Sequence, residues 1–535
     1  MDKNSCSIKL LPHGRKIKAI VGERLLESLI AHNIFLRSDC GGKGVCGKCR
    51  VKIVAGDGTG RDAESCCFQV ADSVSIEIPE SSLLSSHIIA KPPVMLPASF
   101  LSKRVAGMSP EPCLGIAVDL GTTTIAIYLF DVIHRKILSS TAVKNPQALY
   151  GDDVMNRIGE IGEDDGRLFR LQELVVRAIE WGTTELLNCC RTAHEELANM
   201  VIVGNPTMIH ILLGISPMSI GIAPYQPSFF KARQTNGSEL GLGFPDVIVN
   251  TLDQVSGFIG GDILAASLAT ELEKEPVGTL LIDLGTNGEL LLKGKDSFFA
   301  TSCATGPAFE GASLSCGIQA IPGAIDRVSI AGRDSVPEFS VVKNKSSETM
   351  KPSGLCGSGV ISAVAAMIQT GIVTSSGRLI KTHTQGGSNN SAKAEARYLI
   401  VPAGQTANNR DIFISQKDIR SVQLGKAALI TGIEFLLRTA GMALPEKIII
   451  AGAFGSHLQK RDMRILGMLP DIDPDRIDMV GNAAGGGAIM ALCDDYVEAA
   501  GRLAGKISVI ELASSVDFQN RFVERLSFSG STPVK

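Results

Sequence analysis

Gly115–Asp131 reads G-I-A-V-D-L-G-T-T-T-I-A-I-Y-L-F-D. An apolar run ends at Asp119, a glycine turn follows, and a second apolar run leaves at once. Thr279–Lys293 repeats the design as T-L-L-I-D-L-G-T-N-G-E-L-L-L-K. Each reads as a β-hairpin, not as the strand-to-helix turn of a P-loop. The backbone N–H groups and threonine hydroxyls of such a turn can cradle phosphate oxygens, because glycine permits close approach. The candidate groups are Gly121, Thr122 and Thr123 in the first turn, and Gly285, Thr286, Asn287 and Gly288 in the second. Asp119 and Asp283 are placed to hold Mg²⁺, which keeps several waters and takes few carboxylates. A third element, Lys447–His457, reads K-I-I-I-A-G-A-F-G-S-H. There an apolar strand runs into Gly452, Ala453 and Gly455, as needed where backbone passes a flat base or ribose. A single D-x-G-T hairpin is an ordinary turn; three elements in this order carry more weight.

That order resembles the superfamily of acetate and sugar kinases, Hsp70 and actin. Asp119–Thr124 matches its first phosphate motif, Asp283–Gly288 its second, and Ala451–Gly455 its adenosine motif. The resemblance implies two RNase-H-like lobes closing on ATP. It also makes Ile202–Gly214 and Gly354–Met367 candidates for the connecting hinges. Glu289 is a candidate for orienting an attacking water, with Glu310 a second.

Upstream lies a different chemistry. Leu36–Cys49 reads L-R-S-D-C-G-G-K-G-V-C-G-K-C, with thiols at Cys40, Cys46 and Cys49. Two-iron clusters take four thiolates, three of them from one tight loop. The spacing C-x5-C-x2-C is one residue longer than the plant-type loop. Glycines 41, 42, 44 and 47 let such a loop wrap closely around sulfur. Structural zinc usually pairs two CxxC motifs, and only Cys46-x-x-Cys49 qualifies in this region. The fourth ligand is Cys66 or Cys67. Short strands at Ser7–Leu11, Lys16–Val21, Arg50–Val54 and Val74–Ile78, with a helix over Arg24–Asn33, complete a small sheet domain. Residues 36–78 resemble the β-grasp ferredoxins of the plant and adrenodoxin type. In that family the fourth ligand precedes a strand like Val74-Ser75-Ile76-Glu77, which points to Cys66.

The chain has 535 residues, 44% hydrophobic and 20% charged, with a net charge of −3. That is a globular composition holding several domains. Nothing in the charge points to nucleic acid or an anionic membrane. No apolar run reaches spanning length, and Met1–Leu11 lacks a signal-peptide core. The thirteen cysteines are scattered and odd in number, so they read as reduced thiols of a cytoplasmic protein. Cys303, Cys316 and Cys356 read as buried small thiols, and His13, His210 and His457 as turn or core histidines.

The expected organisation is multidomain α+β and α/β. A β-grasp [2Fe-2S] domain spans residues 1–80 and a proline-containing linker 81–113. A middle RNase-H-like domain spans 114–225, and a C-terminal actin-like ATPase domain 226–535. Lys381–Ala394 reads as a polar surface loop. Nearly the whole chain resembles the reductive activators of corrinoid-dependent methyltransferases. That resemblance implies an ATP-hydrolysing activase that passes one electron from its [2Fe-2S] cluster to reduce Co(II) to Co(I). It implies Mg²⁺, a corrinoid protein in its Co(II) form as partner, an upstream reduced ferredoxin or flavodoxin, and a homodimer. An ATP-coupled electron donor to another low-potential enzyme, or a small-molecule kinase with a regulatory cluster, are the alternatives.

Overall fold

The computed structural model describes residues 5–32, 34–36, 44, 47, 49–55, 58–79, 82–83, 94–102, 113–151, 153–164, 166–193, 197–306, 309, 314–318, 320–343, 350–380, 396–452, 458–512 and 515–528. Cys40, Cys46, Glu310, the island 381–394, Ala453, Gly455 and His457 lie outside the described residues.

The N-terminal sheet contains β1 (Ser5–Leu11), β2 (Arg15–Ile20), β3 (Arg50–Val54), β4 (Gly60–Glu64) and β5 (Val74–Glu77), in the order β2-β1-β5-β3-β4. The central strand β5 runs parallel to β1 and antiparallel to β3. The helix Leu25–Ile30 buries Leu25, Leu26, Leu29 and Ile30 beneath it, as its apolar spacing predicts. The strand at Gly60–Glu64 is not evident in the sequence, since G-R-D-A-E holds no β-branched or aromatic residue. It forms through its antiparallel register with β3.

The next sheet contains β6 (Leu114–Leu120), β7 (Thr124–Asp131), β8 (Lys136–Lys144), β9 (Leu197–Gly204), β10 (Gln234–Asn236) and β11 (Ile248–Thr251). Strands β6, β7 and β8 form an antiparallel meander. Strand β9 returns parallel to β6, and β11 lies parallel to β9. The domain border expected at residues 225 and 226 does not coincide with a change of sheet. Strands β10 and β11 hydrogen-bond into the first lobe, so this lobe continues past Thr251.

The second lobe repeats the plan. It opens with the meander β12 (Thr279–Leu284), β13 (Gly288–Lys293) and β14 (Phe298–Cys303). An insertion carries β15 (Ala324–Ser329), β16 (Glu338–Val341) and β17 (Gly354–Leu355) in one small sheet, and β18 (Arg397–Val401) with β19 (Ile412–Ser415) in a hairpin. Strands β20 (Lys447–Ala451), β21 (Ile477–Met479) and β22 (Ile507–Val509) then complete the large sheet, ordered β21-β20-β12-β13-β14-β22. Two RNase-H-like lobes are therefore present.

Both meanders are apolar on both faces because both faces are covered. On β6, Ile116 and Val118 point to one core while Ala117 points to another. On β12, Leu280 and Ile282 alternate with Leu281 in the same way. Ala117 and Leu281 meet in a shared layer built around the helices Gly261–Ala269 and Ala483–Met490. These helices pack backbone to backbone: a Cβ on Gly487 would lie 1.9 Å from the Ala265 carbonyl oxygen. They are the elements between the lobes. The two segments expected as hinges sit elsewhere. Ile202–Gly214 is the end of β9 plus the helix Pro206–Leu212, inside the first core, and Gly354–Met367 is β17 plus the helix Gly357–Gln369, inside the second.

Part of the proline-containing linker is anchored. Phe100 is fully buried, stacks on Phe130 and lies beneath the Arg135 guanidinium at 4.4 Å. Among the described residues no helix is long and apolar enough to cross a membrane.

Candidate nucleotide cleft and cluster site

The two glycine turns meet. Thr123 Oγ1 and Thr286 Oγ1 lie 3.0 Å apart, joining hairpin β6–β7 to hairpin β12–β13. The first turn is closed by the Gly121 N–H donating to the Thr124 carbonyl at 3.1 Å. A Cβ at Gly121 would sit 2.6 Å from that oxygen, so only glycine fits. Its remaining carbonyls are taken from behind. Asn145 Nδ2 donates to the Gly121 oxygen at 2.9 Å and the Asn145 N–H to the Thr123 oxygen at 2.8 Å. Arg157 Nη2 donates to the Thr122 oxygen at 2.6 Å, and Asn205 Nδ2 to Thr122 Oγ1 at 3.1 Å. Arg157 is wholly buried. With the acceptor oxygens engaged by protein donors, the turn suits an anionic ligand.

In the second turn the Gly285 N–H donates to the Asn287 carbonyl at 2.9 Å, and Thr305 Oγ1 to the Thr286 carbonyl at 3.3 Å. Gly452, at the end of β20, has φ of 109°. A Cβ there would lie 2.6 Å from the Leu284 oxygen and 3.2 Å from Asp283 Oδ1. Gly452, the described glycine of the third element, therefore abuts the second turn.

Four carboxylates share this region. Burial pushes Asp119 up to about 7; the amide of Asn482, donating at 2.8 Å, pulls the other way, and the charge of Asp262 adds to the rise. Burial raises Asp262 to about 6, and the Ile263 N–H on its Oδ1 at 2.9 Å offsets part of that. Glu289 is held well above the usual carboxylate range by burial, then by the charges of Asp262 and Asp283. Such carboxylates fit a divalent cation, whose charge would relieve their mutual repulsion. Asp262 thus links them, feeling the charge of Asp119 on one side and of Glu289, beside Asp283, on the other.

Asp262 and Asn482 are the residues that sequence reasoning missed. Asp262 opens the interlobe helix after Gly260-Gly261, and Asn482 caps the other by accepting from the Gly485 N–H at 2.7 Å. The signals were present as polar residues at the heads of two small-residue helices.

At the other site, Cys49 and Cys66 are buried with their sulfurs 3.3 Å apart, while Cys67 is exposed with its sulfur 3.7 Å from that of Cys66. A shared bond lowers the Cys49 thiol to about 6 and raises that of Cys66. Gly44 and Gly47 have φ of 70° and 62°, and a Cβ on Gly44 would lie 2.5 Å from Cys67 Sγ. A buried thiol pair with two left-handed glycines nearby in sequence fits a thiolate-held cluster.

These features define an iron–sulfur protein of ferredoxin type joined to an actin-like nucleotide-binding region. Residues 8–72 match the 2Fe-2S iron-sulfur cluster binding domain, residues 114–275 the RACo middle region, and residues 278–533 the C-terminal domain of RACo, the ASKHA domain. The chain is 31% identical over 434 residues to the corrinoid activation enzyme RamQ of Eubacterium limosum, covering 79% of this chain and 72% of that one. It is 25% identical over 456 residues to the [Co(II) methylated amine-specific corrinoid protein] reductase of Methanosarcina barkeri, covering 77% of each. A solved structure, the reductive activator for corrinoid, iron-sulfur protein, superposes with a TM-score of 0.73 at 26% identity, covering 98% of this chain and 99% of that one. The chain belongs to the family of reductive activators of corrinoid proteins.

Proposed function

We propose that this protein uses ATP hydrolysis to drive one electron onto a corrinoid protein, returning inactive Co(II) to Co(I). The observation that carries the reading is the presence, on one chain, of a buried thiol pair in a ferredoxin fold and of two facing threonine turns in a two-lobed cleft. Cys40, Cys46, Cys49 and Cys66 would hold the cluster, Cys66 being favoured over Cys67 by its burial beside Cys49. When bound, a plant-type [2Fe-2S] cluster supplies one electron at about −400 mV. A more negative cobalt couple makes the transfer uphill, each ~59 mV costing a factor of ten. An upstream reduced ferredoxin or flavodoxin restores the electron.

The chain's own groups handle the nucleotide. Turn residues Gly121–Thr123 and Gly285–Gly288 receive the phosphates, and Gly452 leaves room for the nucleoside. Asp119 and Asp283 hold Mg²⁺ through water. Asp262, raised to about 6, is poised to take a proton from the water attacking the γ-phosphate, with Glu289 beside it. Lobe closure around ATP then biases which cobalt state of the partner is bound.

The test is an anaerobic titration of a Co(II) corrinoid protein, followed by cobalt absorbance, with and without ATP. Co(I) should accumulate only with ATP. Asp283→Ala should abolish that dependence while leaving the cluster spectrum intact, and Asp119→Ala asks whether the first turn shares the work. Equal Co(I) yield without ATP would sink the coupling.

A further inference from the structure

The ferredoxin-type domain does not hang free of the first lobe. Ile8, Leu29, Phe35, Cys49 and Cys66 belong to the same continuous core as Leu114, Val143 and Leu174. Phe35 packs edge-on against Trp181, with ring centroids 5.8 Å apart. Arg170 donates to Glu23 Oε1 and to the Glu27 carbonyl, both at 3.2 Å. A narrow crevice separates Phe35 and Leu36 from Asn145, Pro146 and Leu149. Leu36 lies four residues before Cys40, so the cluster loop begins at this surface.

Both halves of the docking surface are tied to the first glycine turn. One half is the segment after β8. Asn145, fully buried, bonds the Gly121 and Thr123 carbonyls and also accepts from the Gln147 N–H at 3.0 Å, capping the short helical turn Pro146–Leu149. The other half is the helix Arg167–Cys190, which carries Arg170 and Trp181. Gln147 Nε2 donates to its Leu171 carbonyl at 2.9 Å, and Gln147 Oε1 accepts from Arg157 at 3.0 Å. Arg157 in turn holds the Thr122 carbonyl. The surface that receives the ferredoxin-type domain is thus the back of the first glycine turn.

We propose that the two are coupled: nucleotide phosphate at Thr122–Thr123 loosens the docking of the ferredoxin-type domain and frees it to reach a partner. This rests on the nucleotide role proposed above for the turns. The sign follows from the cleft. A phosphate between Thr123 and Thr286 replaces their mutual 3.0 Å bond and parts the turns. The Gly121 and Thr123 carbonyls then press Asn145 and Pro146 back into the crevice against Phe35 and Leu36, wedging the ferredoxin-type domain off that surface. Linkage makes the effect reciprocal, so loosening the docking must tighten nucleotide binding by the same factor.

Trp181 is the only tryptophan of the chain and lies in the docking surface, which makes it a native reporter. The reconstituted full chain is titrated anaerobically with Mg²⁺ and a non-hydrolysable ATP analogue, reading Trp181 emission, with calorimetry measuring binding in parallel. Emission should rise as the quenching cluster domain moves off. Phe35→Ala should raise emission without nucleotide and tighten nucleotide binding roughly fivefold or more, the lower edge of typical coupling. Arg170→Met, outside the cluster domain, should act in the same direction if Phe35→Ala disturbs cluster assembly, which visible absorbance reports. Calorimetric binding with unchanged or falling emission, or variant affinities within about twofold of the parent, would overturn the coupling and leave the proposed function standing. No calorimetric binding at all would overturn both.

Discussion

The turns Asp119–Thr124 and Asp283–Gly288 begin with the same four residues, D-L-G-T, yet they are held differently. Behind the first stands a buried guanidinium, Arg157, with Asn145 and Asn205 beside it, and their donors occupy three successive backbone carbonyls and one hydroxyl. Behind the second, the Thr286 carbonyl receives the hydroxyl of Thr305, and the Leu284 carbonyl lies against Gly452. The aspartates differ too. Asp119 is steadied by the Asn482 amide from the opposite interlobe helix, while Asp283 lies beside the end of β20. One turn is thus anchored into the lobe that carries the ferredoxin-type domain. The other is built against Gly452 at the end of β20. Two near-identical hairpins are thus backed by different sets of donors.

Removing the anchor should have the largest effect. Arg157→Met keeps the apolar stem and deletes the donors to the Thr122, Gly151 and Gln147 oxygens. Leaving several buried acceptors unpaired costs about 3–5 kcal/mol. The expected result is a much lower melting temperature by calorimetric scan and loss of nucleotide binding. A variant that melts like the parent would remove the first half of the comparison.

Sequence made the turns legible because a D-x-G-T hairpin is local: its strands, its glycine and its aspartate lie within the single stretch Leu114–Asp131. It did not reveal what stands behind them. Arg157 lies 35 residues from Thr122, and Asn482 lies 363 from Asp119. Such pairings exist only after the sheets close. The interlobe helices were misplaced for a related reason. D-I-L-A-A-S-L-A and A-A-G-G-G-A-I-M are built mostly of small and apolar residues with no polar stripe, as are the segments mistaken for them, so periodicity does not say which sheet covers which face. The border near residue 225 failed because β10 and β11 are short strands that join the first sheet only through β9. Of the thiols expected as ligands, Cys49 and Cys66 lie side by side, and burial separates Cys66 from Cys67.

The carboxylates provide the next test. Asp119 has a folded value of about 7, above its ordinary one near 3.9. The folded protein therefore binds that proton more tightly than the unfolded chain does. The resulting stability is fully present below about pH 4 and is lost as pH rises through about 7. Mg²⁺ should compete with the same proton. Its apparent affinity should be about tenfold higher near pH 8 than near pH 6, or about 1.4 kcal/mol. The readout is the rise in melting temperature on adding MgCl₂ at each pH. Asp119→Asn should flatten that difference. A Mg²⁺ effect in Asp119→Asn with the full pH dependence would move the responsible group to Asp262 or Glu289 and weaken the contrast between the aspartates.

The smallest effect is expected at the second turn. Thr305→Val preserves the branched shape that packs against Gly288, where a Cβ would lie 3.0 Å from Thr305 Cγ2. It removes the hydroxyl on the Thr286 carbonyl. One neutral hydrogen bond is worth about 1 kcal/mol, or about 2–4 °C in a domain of this size. Nucleotide affinity should fall modestly, because Thr286 keeps the side-chain oxygen that faces Thr123. The informative quantity is the ratio of this loss to that of Arg157→Met, measured in the same buffer. A small ratio means that the first turn is the more heavily anchored of the two and transmits its displacement to the lobe behind it. Equal losses would mean that both turns are clamped alike, and the lobe motion would then have to arise at the Gly261–Ala269 and Ala483–Met490 helices instead.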